Sequence, residues 1–455
     1  MQDLFIVHSS SLPSSTRVMG FRGEEALSKP YWFEVFVAFD GGAAAEVDPG
    51  DVIGTRATLE FVQDLLAVPY WFHGIVSEME LIEEQRTAGT RQSRAVFRMR
   101  LVPQVWSLEL SLHSRVYTKK SIPEIIKSVL EDNGLDGEDF ELRLTGTYAV
   151  EEHVCQYRES DLAFISRWME HEGMYYFFEQ QRSGEKLVIT DNIASHSSLL
   201  SAPVPYHPSP DDNAAKQAIH VAALKHSTLA ARVVISDYDY IKPALSLVGS
   251  ADVSADGTAE WSVYGDRVFS PEGAKRVATF RAESLVARKS VLSARGTQRH
   301  IRTGYRFELA EHPRLDREYL VISMSHIGRQ LHGAPELDEL LGSESNKSPE
   351  VYRIELEAIP SDVQYREPRH TPWPKIHGFE NGVIDGAATS TYAQIDDHGR
   401  YATKLRFDEQ PGKAGTASTW LRMAQPHGGG LEGFHFPLRK GTEVLVQFLD
   451  GDPDR

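Results

Sequence analysis

The sequence predicts a mainly β fold with inserted helices, in which two related β-barrels precede a third, smaller barrel. Runs rich in β-branched and aromatic residues alternate with glycine and proline breaks through the first hundred or so residues. A second set of such runs covers residues 305–360, after a helix-rich stretch. About eighty residues of short strands with glycine turns follow, as in small barrels.

Two series of strands repeat one pattern. Each series holds three amphipathic strands, over residues 57–61, 71–77 and 97–103 in the first and 305–309, 319–323 and 352–360 in the second. The last strand of each series ends in an apolar residue followed by proline. The match lies in the pattern rather than in identity, and it predicts two related barrels.

Helix signals separate these strands. Ser121 and Glu124 form a capping box, with Pro123 in the first turn. A second helix-rich piece runs from residue 271 to about residue 289.

Residues 156–180 carry the clearest local signals. Ser160 is the expected N-cap of a short helix, and Gly173 is the residue expected to turn left-handed and end it. Trp168 shares the apolar stripe of this helix, which predicts that its side chain is buried. The aromatic run 174–178 has no polar break, so both faces of that strand should be covered.

The last ninety residues contain a linker and a small barrel. The proline-punctuated segment 368–374 (PRHTPWP) predicts a stiff linker. The glycine-separated strands beyond it suit a five-stranded barrel of the OB type. The strand 444–448 is more apolar than a small barrel can hide alone.

Composition excludes several classes of protein. The 65 acidic and 48 basic residues give a net charge of −17, which disfavours general binding to nucleic acid or anionic membranes. Cys155 is the single cysteine, so no intrachain disulfide is expected, and its surroundings predict a small buried side chain. There is no basic leader of the signal-peptide kind and no apolar run near the ~20 residues of a membrane span, so synthesis in the cytoplasm is expected.

Hydrolase motifs are incomplete. The sequence His427 to Gly430 (HGGG) matches the oxyanion loop of some esterases but lacks the G-x-S-x-G elbow, so a hairpin loop is predicted. His171 and Glu172 begin like H-E-x-x-H, but Tyr175 stands at the last position. Glycosidases use two carboxylates, and the candidate pairs here are Glu170 with Glu172 and Glu83 with Glu84. Such pairs are common on solvated faces, so a solvated position is expected for them.

Metal and cofactor sites are not predicted either. Zinc needs three or four converging ligands, and no nucleotide-binding glycine motif occurs. A solvated position in turns is expected for five histidines: His370, His377, His398, His427 and His435. We therefore expect no catalytic, cofactor-binding or metal-binding residues, no cofactor and no enzymatic activity.

Residues 271–306 are locally basic, with nine lysines and arginines against Glu272 and Glu283. They lack the glycine and aromatic interleaving of RNA-binding strands. A basic face that meets an acidic face of the next subunit is the preferred interpretation, with a nucleic-acid patch as the alternative.

The order of polar loop, short helix, glycine and aromatic strand in 156–180 resembles the VgrG family, the spike proteins of type VI secretion systems, and the hub protein of contractile phage tails. Residues 420–425 (WLRMAQ), 433–437 (GFHFP) and 441–455 (GTEVLVQFLDGDPDR) are similar to the small barrel that follows the hub domains in that family. The resemblance covers nearly the whole chain, from Gly23 onward.

This resemblance implies a homotrimer whose hub ring caps the hexameric Hcp tube, with a six-fold-like face made from two barrels in each of three chains. It also implies contacts with a PAAR-type tip protein, effectors or adaptors, and baseplate proteins. The membrane would be pierced without a transmembrane segment. Assembly would take place in the cytoplasm, and injection into target cells would need no signal peptide.

The resemblance further implies four segments: a first hub barrel (1–105), a helical and connecting segment (106–180), a second hub barrel with an inserted helix (181–367) and an OB-type barrel at the needle base (375–455). The triple-stranded β-helix of family members is not part of this sequence. Three alternatives stay open, namely a phage-tail or tailocin hub, a peptidoglycan hydrolase and a carbohydrate-binding module.

Overall fold

The computed structural model describes residues 4–40, 47–62, 70–86, 93–208, 217–330, 351–410, 419–429, 432–434 and 436–455. His435 and Gly430 lie outside these residues. The α-helices described are α1 (Pro49–Val52), α2 (Ile122–Asp132), α3 (Asp161–Glu172) and α4 (Pro271–Ala287). The predicted capping box begins α2, where the Ser121 N–H donates to the Glu124 carboxylate at 2.8 Å.

The first six strands form one antiparallel unit. They are β1 (Phe5–Ser9), β2 (Arg17–Ala26), β3 (Lys29–Asp40), β4 (Arg56–Phe61), β5 (Tyr70–Arg86) and β6 (Ser93–Val102). Their hydrogen-bonded order is β1–β4–β5–β6–β3–β2. We call these strands the first unit.

The middle of the chain folds into three small sheets. Its strands are β7 (His113–Tyr117), β8 (Lys120–Ser121), β9 (Phe140–Arg143), β10 (Val150–Glu151), β11 (Val154–Glu159), β12 (Tyr175–Gln180) and β13 (Glu185–Thr190). β7 pairs with β11, β8 with β10, and β12 and β9 flank β13. The hairpin β12–β13 crosses the segment boundary predicted at residue 180, and the four-segment division stays a prediction.

Six later strands form a second unit, which encloses a small insertion. The strands of this part are β14 (Val204–Pro205), β15 (Ile219–His226), β16 (Arg232–Asp237), β17 (Leu247–Asp252), β18 (Glu260–Tyr264), β19 (Ser290–Gly296), β20 (Arg306–Ala310), β21 (Arg317–Arg329) and β22 (Tyr352–Pro360). The second unit has the order β14–β20–β21–β22–β19–β15. The insertion is the sheet β17–β16–β18, whose Val233 and Ile235 pack with Val277 of α4.

The two units share one strand order. Numbered along the chain within each unit, both run first, fourth, fifth, sixth, third, second. Bulges fall at matching places too, at Ser77 in β5 and Ile322 in β21, and at Met19 in β2 and His220 in β15. The units differ in the first strand, because β1 is antiparallel to β4 whereas β14 is parallel to β20.

A few hydrogen bonds link the first and second strands of each unit. In the first unit the Gln330 side chain bonds both the Leu4 N–H (3.0 Å) and the Phe5 carbonyl (2.8 Å) of β1, while its own N–H bonds the Met19 carbonyl of β2. In the second unit the His207 N–H donates to the Ile219 carbonyl at 2.8 Å. These bonds bring the ends of each strand series together.

The two units are hydrogen-bonded into one sheet. β2 pairs with β21 from Gly20 opposite Arg329 to Ala26 opposite Ser323. One hydrophobic cluster contains side chains of both units, including Phe33 and Phe307. The predicted fold class, mainly β with inserted helices, is confirmed.

The small barrel follows the two units. Its described strands are β23 (Glu380–Ile384), β24 (Tyr401–Leu405), β25 (Thr419–Leu421) and β26 (Glu443–Val446). They form a sheet in the order β25–β24–β23–β26, so the described residues contribute four strands where five were predicted. Leu445 of β26 is 68% exposed, which leaves apolar surface on this barrel.

Candidate functional site

Helix α3 has the ends and the buried face that the sequence predicts. The Ser160 hydroxyl accepts the Ala163 N–H at 3.1 Å, and Gly173 has φ +73° at the C-terminal end. Trp168 is 4% exposed. Tyr175 and Tyr176 of β12 point to opposite faces and are both buried, so the prediction that both faces are covered is confirmed. The helix therefore lies inside the molecule rather than on its surface.

Arg167 connects α3 to the last residues of the chain. Its guanidinium is fully buried and donates to the carboxylates of Glu159 (2.7 Å) and Asp454 (3.3 Å) and to the Cys155 carbonyl (2.7 Å). Burial raises the pKa of Glu159, and hydrogen bonds from Arg167 offset part of that rise. A buried arginine with two carboxylates joins the helix, strand β11 and the end of the small barrel.

Residues 449–455 are held by further ion pairs to the second unit and its insertion. Arg267 forms an ion pair with Asp452, and both side chains are largely buried. The Arg455 guanidinium donates to Asp237, at the end of β16, at 2.9 Å. Together with the contact of Asp454 to Arg167, three charged side chains of this segment are paired, and these pairs fix its direction.

The linker 368–374 is fastened by its side chains and backbone. Arg369 forms an ion pair with Asp266. The carboxylate of Glu170 accepts the Thr371 N–H at 3.1 Å and the Thr371 hydroxyl at 2.6 Å. The predicted stiffness of this linker is therefore supplemented by contacts with α3, which proline content alone does not indicate.

Trp373 fills the space between these charged groups. The Arg267 and Arg167 guanidinium carbons lie 3.4 and 4.3 Å from the centre of its ring. Its ring also meets that of Trp168 edge to face at 5.0 Å. Cation–π contacts of this kind are strengthened by desolvation. We call α3, the linker 368–374 and residues 449–455 together the junction.

The small barrel shares its core with strand β11. One cluster of buried side chains contains Cys155, Tyr157, Ile376, Leu405, Val446 and Phe448. The prediction of a small buried Cys155 is confirmed, and burial raises the pKa of its thiol. Because the barrel completes its core on β11, the barrel is packed against the middle part of the chain.

The sequence did not identify the principal residues of this junction. No role was predicted for Arg167, and Asp452 and Asp454 lie in the segment 441–455 without an assigned role. An arginine next to several aromatic residues is a weak signal of a buried cation. Asp454, which pairs with Arg167, is 287 residues away in sequence.

The expectation that Glu170 and Glu172 lie on a solvated face is wrong. Glu170 holds the linker, and Glu172 accepts from Arg276 at 2.7 Å. His171 is buried between the Glu172 carboxylate and the Asp266 carbonyl, each at 3.0 Å. Each of these groups is occupied by a structural contact. Among the residues that the structure describes, no group of three or more His, Cys, Asp or Glu side chains could hold a metal ion.

The HGGG sequence forms a hairpin, as predicted, in its described part. Gly428 bridges Gly433 in antiparallel fashion, and the Gly429 N–H donates to the Glu432 carbonyl at 2.7 Å. Gly428 and Gly429 therefore lie on one side of this hairpin, opposite Glu432 and Gly433.

The predicted basic face is partly wrong, because several of its arginines bind within their own chain. Arg302 is buried, lies 3.9 Å from the centre of the Phe72 ring and donates to the Trp71 carbonyl at 2.9 Å. Arg276 and Arg281 lie against Glu172 and Asp266. Arg276 and Arg281 thus pair with buried carboxylates, and Arg302 packs against an aromatic ring and a carbonyl, so these three arginines do not form the expected basic face.

Glu367, beside the linker, makes the stability of this region depend on pH. Its carboxylate accepts from the Tyr365 hydroxyl, and burial raises its pKa to about 7. A carboxyl whose pKa is higher in the folded state than in the unfolded state, about 4.3, stabilises the fold fully below pH 4. That contribution is lost as the pH rises through about 7.

We expect the free energy of unfolding of Glu367→Gln to exceed that of the wild type by on the order of 2 kcal/mol at pH 8. The two proteins should be nearly equal in stability near pH 5. The amide keeps an acceptor for Tyr365 but cannot ionise. Urea unfolding at pH 5, 6, 7 and 8 measures this. Glu131→Gln, at an exposed carboxylate of α2, is the control and should follow the wild type throughout. If the free energies of unfolding of Glu367→Gln and the wild type differ by the same amount at every pH, the raised pKa of Glu367 is contradicted.

The family model for the phage tail baseplate hub (GPD) matches residues 24–331. The chain belongs to the phage tail baseplate hub family. The spike protein VgrG1b of Pseudomonas aeruginosa is 31% identical over 391 residues, covering 84% of this chain and 50% of that protein. The actin cross-linking toxin VgrG1 of Vibrio cholerae is 27% identical, covering 96% of this chain and 39% of the toxin. The resemblance to VgrG spike proteins is thereby confirmed.

A solved structure shows that this baseplate hub chain shares its fold with a secretion-system protein. The E. coli c3393 protein is described as a component of the type VI secretion system that is similar in structure to the T4 bacteriophage tail proteins gp27 and gp5. It matches with a TM-score of 0.68 at 19% identity, over 99% of this chain and 98% of that one. The chain spans about half the length of the curated relatives it matches. No helix in the described ranges is long and apolar enough to cross a bilayer.

Proposed function

We propose that this chain is the hub and spike base of a type VI secretion machine, where it caps the hexameric Hcp tube as a homotrimer. The observation that carries the proposal is the shared strand order of the two units. A trimer has three-fold symmetry, but three chains with two similar units each offer six similar positions to a six-fold ring.

The junction supports a mechanical role. A thrusting spike must pass axial force from the tube to its tip, and a barrel on a flexible tether would fold back instead. Here the barrel shares a core with β11, and the buried pair of Arg167 and Asp454 ties its last segment to α3. The connection therefore resists bending at the point where force would cross from hub to needle.

The proposed work is structural rather than catalytic. The carboxylates and the histidine of the motif around residue 171 are engaged in internal contacts. The curated relatives are named as spike proteins, and one as a toxin of which this chain covers 39%. We propose that the trimer is assembled in the cytoplasm with baseplate proteins, carries a PAAR-type tip with effectors or adaptors, and is then injected into target cells.

Native mass spectrometry and electron microscopy of the purified protein mixed with Hcp test this function. We expect three copies of the chain on one Hcp hexamer, with the two units of each chain at the ring. A phage tail-tube ring run in parallel distinguishes the phage-hub alternative, which predicts preference for that ring. A strictly monomeric protein at high concentration, in low and moderate salt alike, would count against the trimer.

A further inference from the structure

The strand β21 pairs with two different strands along one edge. Its first part, from Arg317 to Leu320, pairs with β20 of the same unit. Its second part, from Ser323 to Arg329, pairs with β2 of the other unit. The seam between the units therefore joins the second half of β21, the fifth strand of the second unit, to β2, the second strand of the first unit.

The equivalent strand of the first unit is β5, and its first half pairs in the same way as that of β21. β5 pairs with β4 only from Tyr70 to Ile75. From Glu78 onward, no strand in the described part of the chain pairs with that edge. β5 is the longest described strand, with 17 residues, so its outer half extends well past its partner β4.

The equivalent of β2 also lacks a full strand partner on one edge among the described residues. β15 is the second strand of the second unit and ends the path of the large sheet, with β19 on one edge. Its other edge bridges to residue 206 only at Ile219. From Val221 to His226 no described strand pairs with it, although the corresponding part of β2 pairs with β21.

The matching bulges establish which residues correspond. Counting from Ser77 in β5 and Ile322 in β21, Glu80 corresponds to Ser325. Counting from Met19 in β2 and His220 in β15, Lys225 corresponds to Glu24. Within the chain Glu24 lies opposite Ser325. The same register between copies places Lys225 opposite Glu80.

We propose that the outer half of β5 in one copy pairs antiparallel with β15 of the next copy, in the register that β2 and β21 use within the chain. This proposal rests on the homotrimer proposed above and specifies its interface. Lys225 then faces Glu80, and Leu224 faces Leu81. Three seams within chains alternate with three seams between chains, so the sheet continues around the ring and leaves neither edge open.

The side chains at these edges suit each other. Leu81 is 47% exposed in the single chain, so it offers apolar surface that Leu224 of the next copy covers in this register. Glu80 of β5 pairs with Arg98 of β6 but keeps 58% of its side chain exposed, and Lys225 lies on the β15 edge. Opposite charges across paired strands stabilise the pairing, and an unpaired edge otherwise invites aggregation. Because the two edges differ, the contact is head to tail, and the three-fold rotation of the proposed trimer closes it as a ring.

Disulfide cross-linking tests the register. The variants Glu80→Cys with Lys225→Cys and Leu81→Cys with Leu224→Cys place cysteines at two neighbouring opposed pairs. Neighbouring pairs alternate in their Cβ spacing, so one of the two should suit a disulfide. The control, Glu84→Cys with Lys225→Cys, keeps the cysteine on β15 and moves the other one along β5, away from the position opposite Lys225. Native Cys155 is buried, so the wild type reports the background.

After mild oxidation, we expect covalent dimers and trimers on non-reducing gels from at least one opposed pair, with at least fivefold more product than the displaced control. Native mass spectrometry of the reduced proteins records the oligomeric state separately. A trimer in which neither opposed pair cross-links above the control overturns the strand pairing and leaves the trimer intact. A monomer overturns both the pairing and the proposed trimer.

Discussion

Arg167→Met is expected to lower the free energy of unfolding by ~3–5 kcal/mol, because removing one partner of a buried ion pair leaves the other charges uncompensated. Glu159 and Asp454 would remain buried without their shared cation. Urea unfolding measures the loss. Hydrogen exchange should increase first in residues 449–455 and in the linker 368–374, since Arg167 holds the first directly and the second through Trp373.

The cause of this loss can be separated from lost packing by its pH dependence. Protonation of Glu159, whose pKa is raised by burial, removes part of the unpaired charge, so the deficit should shrink as the pH falls toward 5. Arg232→Met is the matched control, because the Arg232 side chain is 55% exposed in its pair with Glu260 and should cost under about 1 kcal/mol. A deficit that stays constant with pH would assign the effect to packing alone.

Trp168→Ala should cost ~3–5 kcal/mol, through lost burial and the cavity left behind. The ring contacts Trp373 of the linker and His171 of its own helix, so the variant should loosen the small barrel as well as α3. Thermal unfolding followed by far-ultraviolet circular dichroism measures the change in melting temperature.

Trp261→Ala provides the comparison for the same side chain. Trp261 stands on the edge strand β18 and is 45% exposed, so its removal should lower the melting temperature far less. If Trp168→Ala melts with the wild type, the packing of α3 described here is incorrect. If both variants lose equal stability, burial is not the cause.

Local patterns in the sequence determined the helices and the kind of fold. Ser160 and Gly173 act on neighbouring backbone groups, so the ends of α3 follow from residues close in sequence. Helical spacing likewise predicted the burial of Trp168. The two strand series were recognisable because alternating burial repeats whenever two units have the same core.

Only the tertiary structure decided the strand order, the links between the first and second strands of each unit through Gln330 or His207, and the seam between β2 and β21. Backbone hydrogen bonds carry no side-chain signature, so sequence patterns indicate a strand without naming its partner. The same limit hid the junction. A buried charged residue looks like a solvated one in sequence. Arg167 is distinguished by its carboxylate partners Glu159 and Asp454, and folding brings the second to it from 287 residues away.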